Sequence, residues 1–294
     1  MFGFAAYLIW GLFPLYWPLL EPAGAIEILA NRIVWSLAVV VVLLLALRRR
    51  HWIRPIVADR HRVVMLTVAA TTIALNWGLY IYGVNSGRVV ETSLGYFINP
   101  LVTIVFGVVL LHERLRRWQW VAVALGAVAV GVLTADYGHP PWIALTLALS
   151  FATYGLIKKT LAMEPLQSLA CETAILFAPA LLVLVAVNAL GSGSMVSNGA
   201  GHFALLASTG MVTAVPLLFF GAAAIRVPLV WLGLMQYVTP TIQFGIGVGV
   251  DHEPMPASRW LGFGLVWSAL ALIAVEALVF HRRSALIALE PLVE

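Results

Sequence analysis

Apolar residues run along this chain in blocks of about eighteen or more, separated by short polar segments. A helix needs about 20 apolar residues to cross about 30 Å of hydrocarbon, so blocks of this length predict membrane spans. The pattern predicts ten helices, at approximately 2–20, 26–47, 63–84, 90–111, 118–136, 142–158, 167–190, 202–225, 229–250 and 259–280. Two connections are very short, and each carries a turn or breaker signal: Asn85-Ser86-Gly87 between spans 3 and 4, and Pro228 between spans 8 and 9. The expected fold is an all-α integral membrane protein of ten transmembrane helices.

Composition and charge orient this pattern. The chain is 62% apolar and 10% charged, against about 25% charged in a soluble domain. With the N-terminus in the cytoplasm, the inside segments hold Arg48, Arg49, Arg50, Arg54, Arg60, Arg62, Arg114, Arg116, Arg117, Lys158, Lys159, Arg226, Arg282 and Arg283, while the outside segments hold only Arg88 and Arg259. Fourteen against two follows the positive-inside rule and places both termini in the cytoplasm. The net charge of +4 is thereby explained by membrane orientation, and no nucleic-acid partner is expected. The first span starts almost at Met1 without a basic n-region, so no cleaved signal peptide is expected. The single cysteine, Cys171, excludes a disulfide framework and a cysteine metal cluster.

The chain also repeats itself at a distance of 140 residues. Leu94, Pro100, Gly107, His112, Glu113 and Trp120 recur as Leu234, Pro240, Gly247, His252, Glu253 and Trp260, with Phe97 matched by Tyr237. Five spans per copy is an odd number, so the second copy enters the membrane from the other side. The result is an inverted repeat, an architecture common among secondary transporters. The expected units are 1–141 for the first five-helix repeat, 142–280 for the second, and 281–294 for a cytoplasmic tail.

Candidate chemistry clusters on the repeated segments. Tyr96, Asn99 and Thr103 form one helical stripe on span 4, and Gln236, Thr239 and Gln243 form the matching stripe on span 9. Pro100 and Pro240 lie near the middle of these spans, where proline removes a backbone hydrogen bond and frees a carbonyl. In hydrocarbon such a group must face protein or a watery cavity. Matched polar stripes beside matched kinks predict a substrate site; the competing role for each polar residue alone is a hydrogen bond between helices. Span 3 adds Asn76, Trp77 and Tyr80, whereas span 8 carries Pro216 and Phe220 at the corresponding places. Trp10 and Tyr154 align approximately across the halves and, with Tyr237, extend the candidate lining for a planar or apolar molecule.

Charges inside spans default to functional hypotheses because they are costly there. Glu27 and Arg32 on span 2 and Glu172 on span 7 are the candidates, with Glu27 and Glu172 as carriers of a coupling proton. Glu27 and Arg32 are poorly spaced for a direct pair, so another helix is expected to contribute. Glu91, Glu113 and Glu253 fall at span ends, where solvation is expected. His112-Glu113 and His252-Glu253 lack the second histidine of a zinc protease motif, since Arg116 and Pro256 occupy those positions. There is no G-x-S-x-G elbow and no P-loop. No enzyme, no metal and no cofactor is expected. Gly126 and Gly131 on span 5 offer close approach to a partner helix, as a homodimer would need.

Longer runs carry a family resemblance. Glu27-Ile28-Leu29 with Asn31-Arg32-Ile33-Val34-Trp35-Ser36, Asn76-Trp77, Leu94-Gly95-Tyr96-Phe97-Ile98-Asn99-Pro100-Leu101 and Glu113-Arg114 with Gln119-Trp120 resemble the EamA-type carriers of the drug/metabolite transporter superfamily. So do Tyr154-Gly155-Leu156, Pro216-Leu217 and Gln236-Tyr237 with Pro240-Thr241. Within that superfamily the RarD-type permeases are the most similar group. The resemblance implies two inverted five-helix repeats, an inner-membrane location, and movement of a small molecule through a central cavity among helices that include 3, 4, 8 and 9. Asn31 stands where the family pattern carries His beside Arg32. A lipid flippase, with a groove opening sideways to the bilayer, is the alternative function.

Overall fold

A computed structural model describes residues 1–48, 53–112, 114–195, 197–224 and 235–289. Arg49, Arg50, Glu113, Arg226, Pro228 and Leu234 lie outside the described residues, as do the side chains of Lys159, Arg282 and Arg283.

The described residues are helical with short connections. The chain runs through α1 (Phe2–Gly11), α2 (Phe13–Tyr16) with a 3-10 turn Trp17–Leu20, α3 (Ala25–Ala46), α4 (Arg54–Val57), α5 (Arg60–Asn85) and α6 (Val89–Leu111). It continues through α7 (Arg117–Tyr137), α8 (Trp142–Leu161), α9 (Pro165–Ala189), α10 (Gly199–Ala224), α11 (Val238–Gly249) and α12 (Ala257–Leu289). Among the described residues seven helices are long and apolar enough to cross a membrane, and eight if the bent N-terminal pair counts as one span. The two remaining segments fall short: the apolar part of α8 is Trp142–Lys158, and α11 has 12 residues.

Local sequence explains the breaks. The first segment was expected to be one helix over 2–20, but it bends by 46° between Gly11 and Phe13. Pro14 and Pro18 each begin a new short helix, where a missing N–H has no intrahelical partner to lose. The connection after Asn85 turns at Gly87, whose φ of +66° suits glycine. His112 and His252, the repeated pair, both adopt left-handed conformations just beyond α6 and α11, with φ of 54° and 52°. Pro100 and Pro216 lie inside α6 and α10, whereas Pro240 falls in the first turn of α11 rather than mid-helix.

The halves are interleaved. α7 packs on α12, α3 on α9 and α6 on α11, so each of these contacts joins the two halves. The other large contacts between them form reciprocal sets: α6–α8 with α1–α11, α3–α10 with α5–α9, and α5–α8 with α1–α10. One core joins Leu94, Phe97 and Leu101 of α6 to Leu133 of α7, Phe244 of α11 and Phe263 of α12. A second joins Phe13, Trp17, Ile28, Tyr80 and Leu147. Among the described residues neither 1–141 nor 142–280 holds a separate core, and the two stretches pack as one body. Gly126 is already filled from within: a Cβ there would lie 2.4 Å from Leu101 Cδ1. It serves α6–α7 packing rather than a partner chain.

Candidate functional site

The predicted residues fall into four groups, held by different helices. The first surrounds Arg32, which is 4% exposed on α3. Its Nε donates to Thr213 Oγ1 on α10 at 2.9 Å. Its guanidinium lies over the rings of Trp77 at 4.0 Å, Trp17 at 5.2 Å and Phe13 at 5.8 Å, contacts that attract a cation through the ring quadrupole. The bend after Gly11 is what brings Phe13 and Trp17 there. Tyr80 and Tyr96 meet edge to face at 5.6 Å. Tyr96 donates weakly to Asn76 Oδ1 at 3.3 Å, and Asn76 Nδ2 donates to Leu147 O and Ser150 Oγ on α8. Arg32, Asn76, Trp77, Tyr80 and Tyr96 are thus assembled together, from α3, α5 and α6.

The second group is an inner ion pair. Glu172 on α9 is 1% exposed. Its Oε1 accepts from Lys158 Nζ at 2.8 Å and from Ser168 Oγ at 2.8 Å, while Oε2 accepts from Tyr154 OH at 3.0 Å. Lys158 also contacts Ser168. Lys158 was counted only as a loop charge in the sequence, although it sits four residues after Tyr154 on the same helix face.

The third group ties helices together. Asn99 Nδ2 donates to Ala148 O on α8, Thr239 Oγ1 to Tyr7 O and Gln243 Nε2 to Trp10 O on α1. Thr103 is exposed and turns its hydroxyl back to Asn99 O. Trp10 packs against Tyr7 and Phe220. Gln236 is half-buried, and Tyr237 lines a separate cavity of about 380 Å³ with Phe97, Thr241, Trp267 and Leu270. The two stripes therefore bond α8 and α1 in matched fashion in this conformation.

The fourth group lies at the end expected to face outside. Glu27 is 4% exposed and does not pair with Arg32: it accepts from Ser194 N, Ser194 Oγ and Met195 N, and Ser194 Oγ bonds His202 Nε2. Glu91 and Glu253, expected to be solvated, instead cap helices. Glu91 Oε1 accepts from Ile143 N at the start of α8, and Glu253 Oε1 accepts from Val90 N at the start of α6. Unsatisfied N–H groups at a helix start explain why acids go there. Burial pushes the Glu253 carboxyl up to about 7, against the lowering effect of the Val90 and Val89 N–H groups. Arg259 pairs with Asp136 at 2.7 Å and lies 4.3 Å over the Tyr137 ring. With Arg88 and His139, these side chains surround a charged cavity of about 370 Å³.

The fold is that of a membrane protein with a buried, aromatic-lined polar centre inside a bundle of apolar helices. The model of the EamA-like transporter family matches residues 1–135. Protein RarD of Streptomyces exfoliatus is 59% identical over 97% of this chain and 90% of its own length. Protein RarD of Escherichia coli K12 is 40% identical over 97% of this chain and 96% of its own, and an uncharacterized transporter of Bacillus subtilis is 40% identical over 95% and 94%. A crystal structure of a protein 17% identical superposes with a TM-score of 0.60 over 92% of this chain and 95% of that one, which speaks for the fold alone. This chain belongs to the EamA-like transporters of the drug/metabolite transporter superfamily, among the RarD-type permeases. It is a multi-pass membrane protein of a family of transporters, not enzymes.

Proposed function

We propose that the chain is a secondary transporter that moves a small metabolite or drug-like molecule across the bacterial inner membrane by alternating access. In this reading ten spans form two inverted repeats, 1–141 and 142–280, with both termini and the tail 281–294 in the cytoplasm. α8 and the segment that ends in α11 complete the count. The observation that carries the reading is the reciprocity of helix packing: every strong contact between the halves either joins corresponding helices or has its counterpart. A bundle built this way can exchange the roles of its halves and so open alternately to each side. The matched left-handed His112 and His252 support the same duplication.

The site proposed for substrate lies among Asn76, Trp77, Tyr80 and Tyr96, bounded by Trp10 and the Asn99 and Gln243 bonds that hold α8 and α1 in place. Glu27 and Glu172 are the proposed coupling groups, each already set in a network of donors that a proton would rearrange. The test is uptake into liposomes by purified protein, screening metabolites with and without a pH gradient. Flux that ignores the gradient and survives both Glu27→Gln and Glu172→Gln removes proton coupling. Transbilayer movement of labelled phospholipid, with no metabolite flux, replaces the metabolite reading with a lipid carrier.

A further inference from the structure

We propose that Arg32 is the anchor for the acid group of the transported molecule, so that the substrate class is amphipathic organic carboxylates. This rests on the transporter reading and names what its site binds.

Among the described residues Arg32 is the one cation classed as buried. It has a single hydrogen bond, to a neutral hydroxyl, and no carboxylate within ion-pair distance. Its neighbour on the same helix, Glu27, is committed elsewhere by three donors. Lys158 and Arg259, both partly buried, already have Glu172 and Asp136. A guanidinium left without an anion in a low-dielectric site is an arrangement that a bound anion completes. Aromatic faces alone compensate a desolvated cation only in part.

Two of the polar atoms near it are donors that lack acceptors. Trp17 Nε1 and Tyr80 OH are both buried and without a hydrogen-bond partner. Trp17 is 0% and Tyr80 3% exposed. An indole N–H can only donate. Trp17 stacks on the Arg32 guanidinium, and Tyr80 and Tyr96 lie within its electrostatic reach. Guanidinium, indole N–H and phenol hydroxyl together ask for an acceptor-rich, negatively charged group, which a carboxylate with its two oxygens supplies. One cation matches a monoanion. An amine would meet like charge, and an amide would leave the guanidinium unneutralised. Beyond the charge, Tyr96, Phe151 and Tyr154 continue in sequence, with ring centroids 6.1 and 6.3 Å apart, as a wall for an apolar body.

The test uses the full chain in liposomes and three acids, 3-phenylpropionate, octanoate and 4-methylpentanoate, each beside its primary amide and the matching amine. Thermal stabilisation and counterflow are both read. The wild type is expected to prefer each acid over its amide by about tenfold or more, the range of a charge-assisted hydrogen bond, and to exclude the amines. Arg32→Gln should erase the acid–amide ratio, and Arg32→Lys should restore part of it. Trp17→Phe and Tyr80→Phe keep the rings and remove one donor each, so each should lower acid affinity about threefold with amide affinity unchanged. They keep the test decisive where Arg32→Gln folds poorly. Equal handling of acid and amide, preference for the amine, no response to any acid, or an unchanged ratio in Trp17→Phe and Tyr80→Phe overturns the proposal. Flux of amides or amines without acid preference defeats the carboxylate class alone, whereas absence of flux for every compound, in a broad metabolite screen as well, defeats the transporter reading itself.

Discussion

Glu172 and Arg32 are both buried among apolar helices, yet the carboxylate accepts from Lys158, Ser168 and Tyr154 while the guanidinium has one neutral acceptor and three aromatic faces. In the proposed repeat Glu172 lies close to the position that corresponds to Glu27, and no arginine lies five residues beyond it, where Phe177 stands. A satisfied charge fixes helices; an unsatisfied one is available to a ligand. The difference separates what holds this bundle together from what its cargo touches.

The largest expected effect tests the satisfied side. Lys158→Met leaves Glu172 buried without its cation and should cost about 3 kcal/mol of stability. Lys158→Met with Glu172→Gln should cost clearly less than the sum of the two single changes, because the stranded charge is gone. Thermal unfolding in detergent measures both. If the single change is silent, the pair is not structural and the contrast with Arg32 collapses.

Glu253 extends the comparison to a carboxylate whose partners are helix N–H groups. Its carboxyl is raised from 4.5 to about 7 by burial. A raised acid binds more protons folded than unfolded, so its contribution to stability is full below about 4.5 and lost as pH rises toward 7. Glu253→Gln, which still accepts from Val90, should match the wild type near pH 5 and melt several degrees higher at pH 8. A parallel offset at both pH values would mean that Glu253 does not titrate in this window.

Much of this was legible in the sequence, for reasons tied to particular residues. Hydropathy located the long helices because burial in lipid requires unbroken apolar runs, and Ser86-Gly87 marked a turn that only a short reversal satisfies. The repeat located His112 and His252, which then proved to share a left-handed backbone conformation. Arg32 and Glu172 stood out because charge inside a span is costly. The partners did not stand out. Lys158 read as one of many inside charges, since side-chain reach along a helix face is invisible to charge counting. Glu91 and Glu253 read as solvated ends, because the helix starts they cap belong to other segments. Phe13 and Trp17 were hidden within a span expected to be straight.

Neutral bonds give a control free of charge. Asn99 to Ala148 and Thr239 to Tyr7 are corresponding links between helices. Asn99→Leu and Thr239→Val should each cost about 1 kcal/mol. Similar losses for the two, read by the same unfolding measurement, sharpen the proposed equivalence of the halves. A loss confined to one would assign the other residue to the moving part of the cycle.

The smallest change expected is the one that separates the two charges most cleanly. Arg32→Met removes ring contacts worth about 0.5–2 kcal/mol and also removes the cost of burying an unpaired cation. The two effects oppose, so stability should shift by less than about 1 kcal/mol in either direction, with transport abolished. A structural arginine behaves otherwise: its removal would unfold the protein on the scale expected for Lys158→Met. Equal melting with lost flux would leave Arg32 with a role only in what the protein carries, because a buried charge that contributes nothing to the resting fold must act on something that comes and goes.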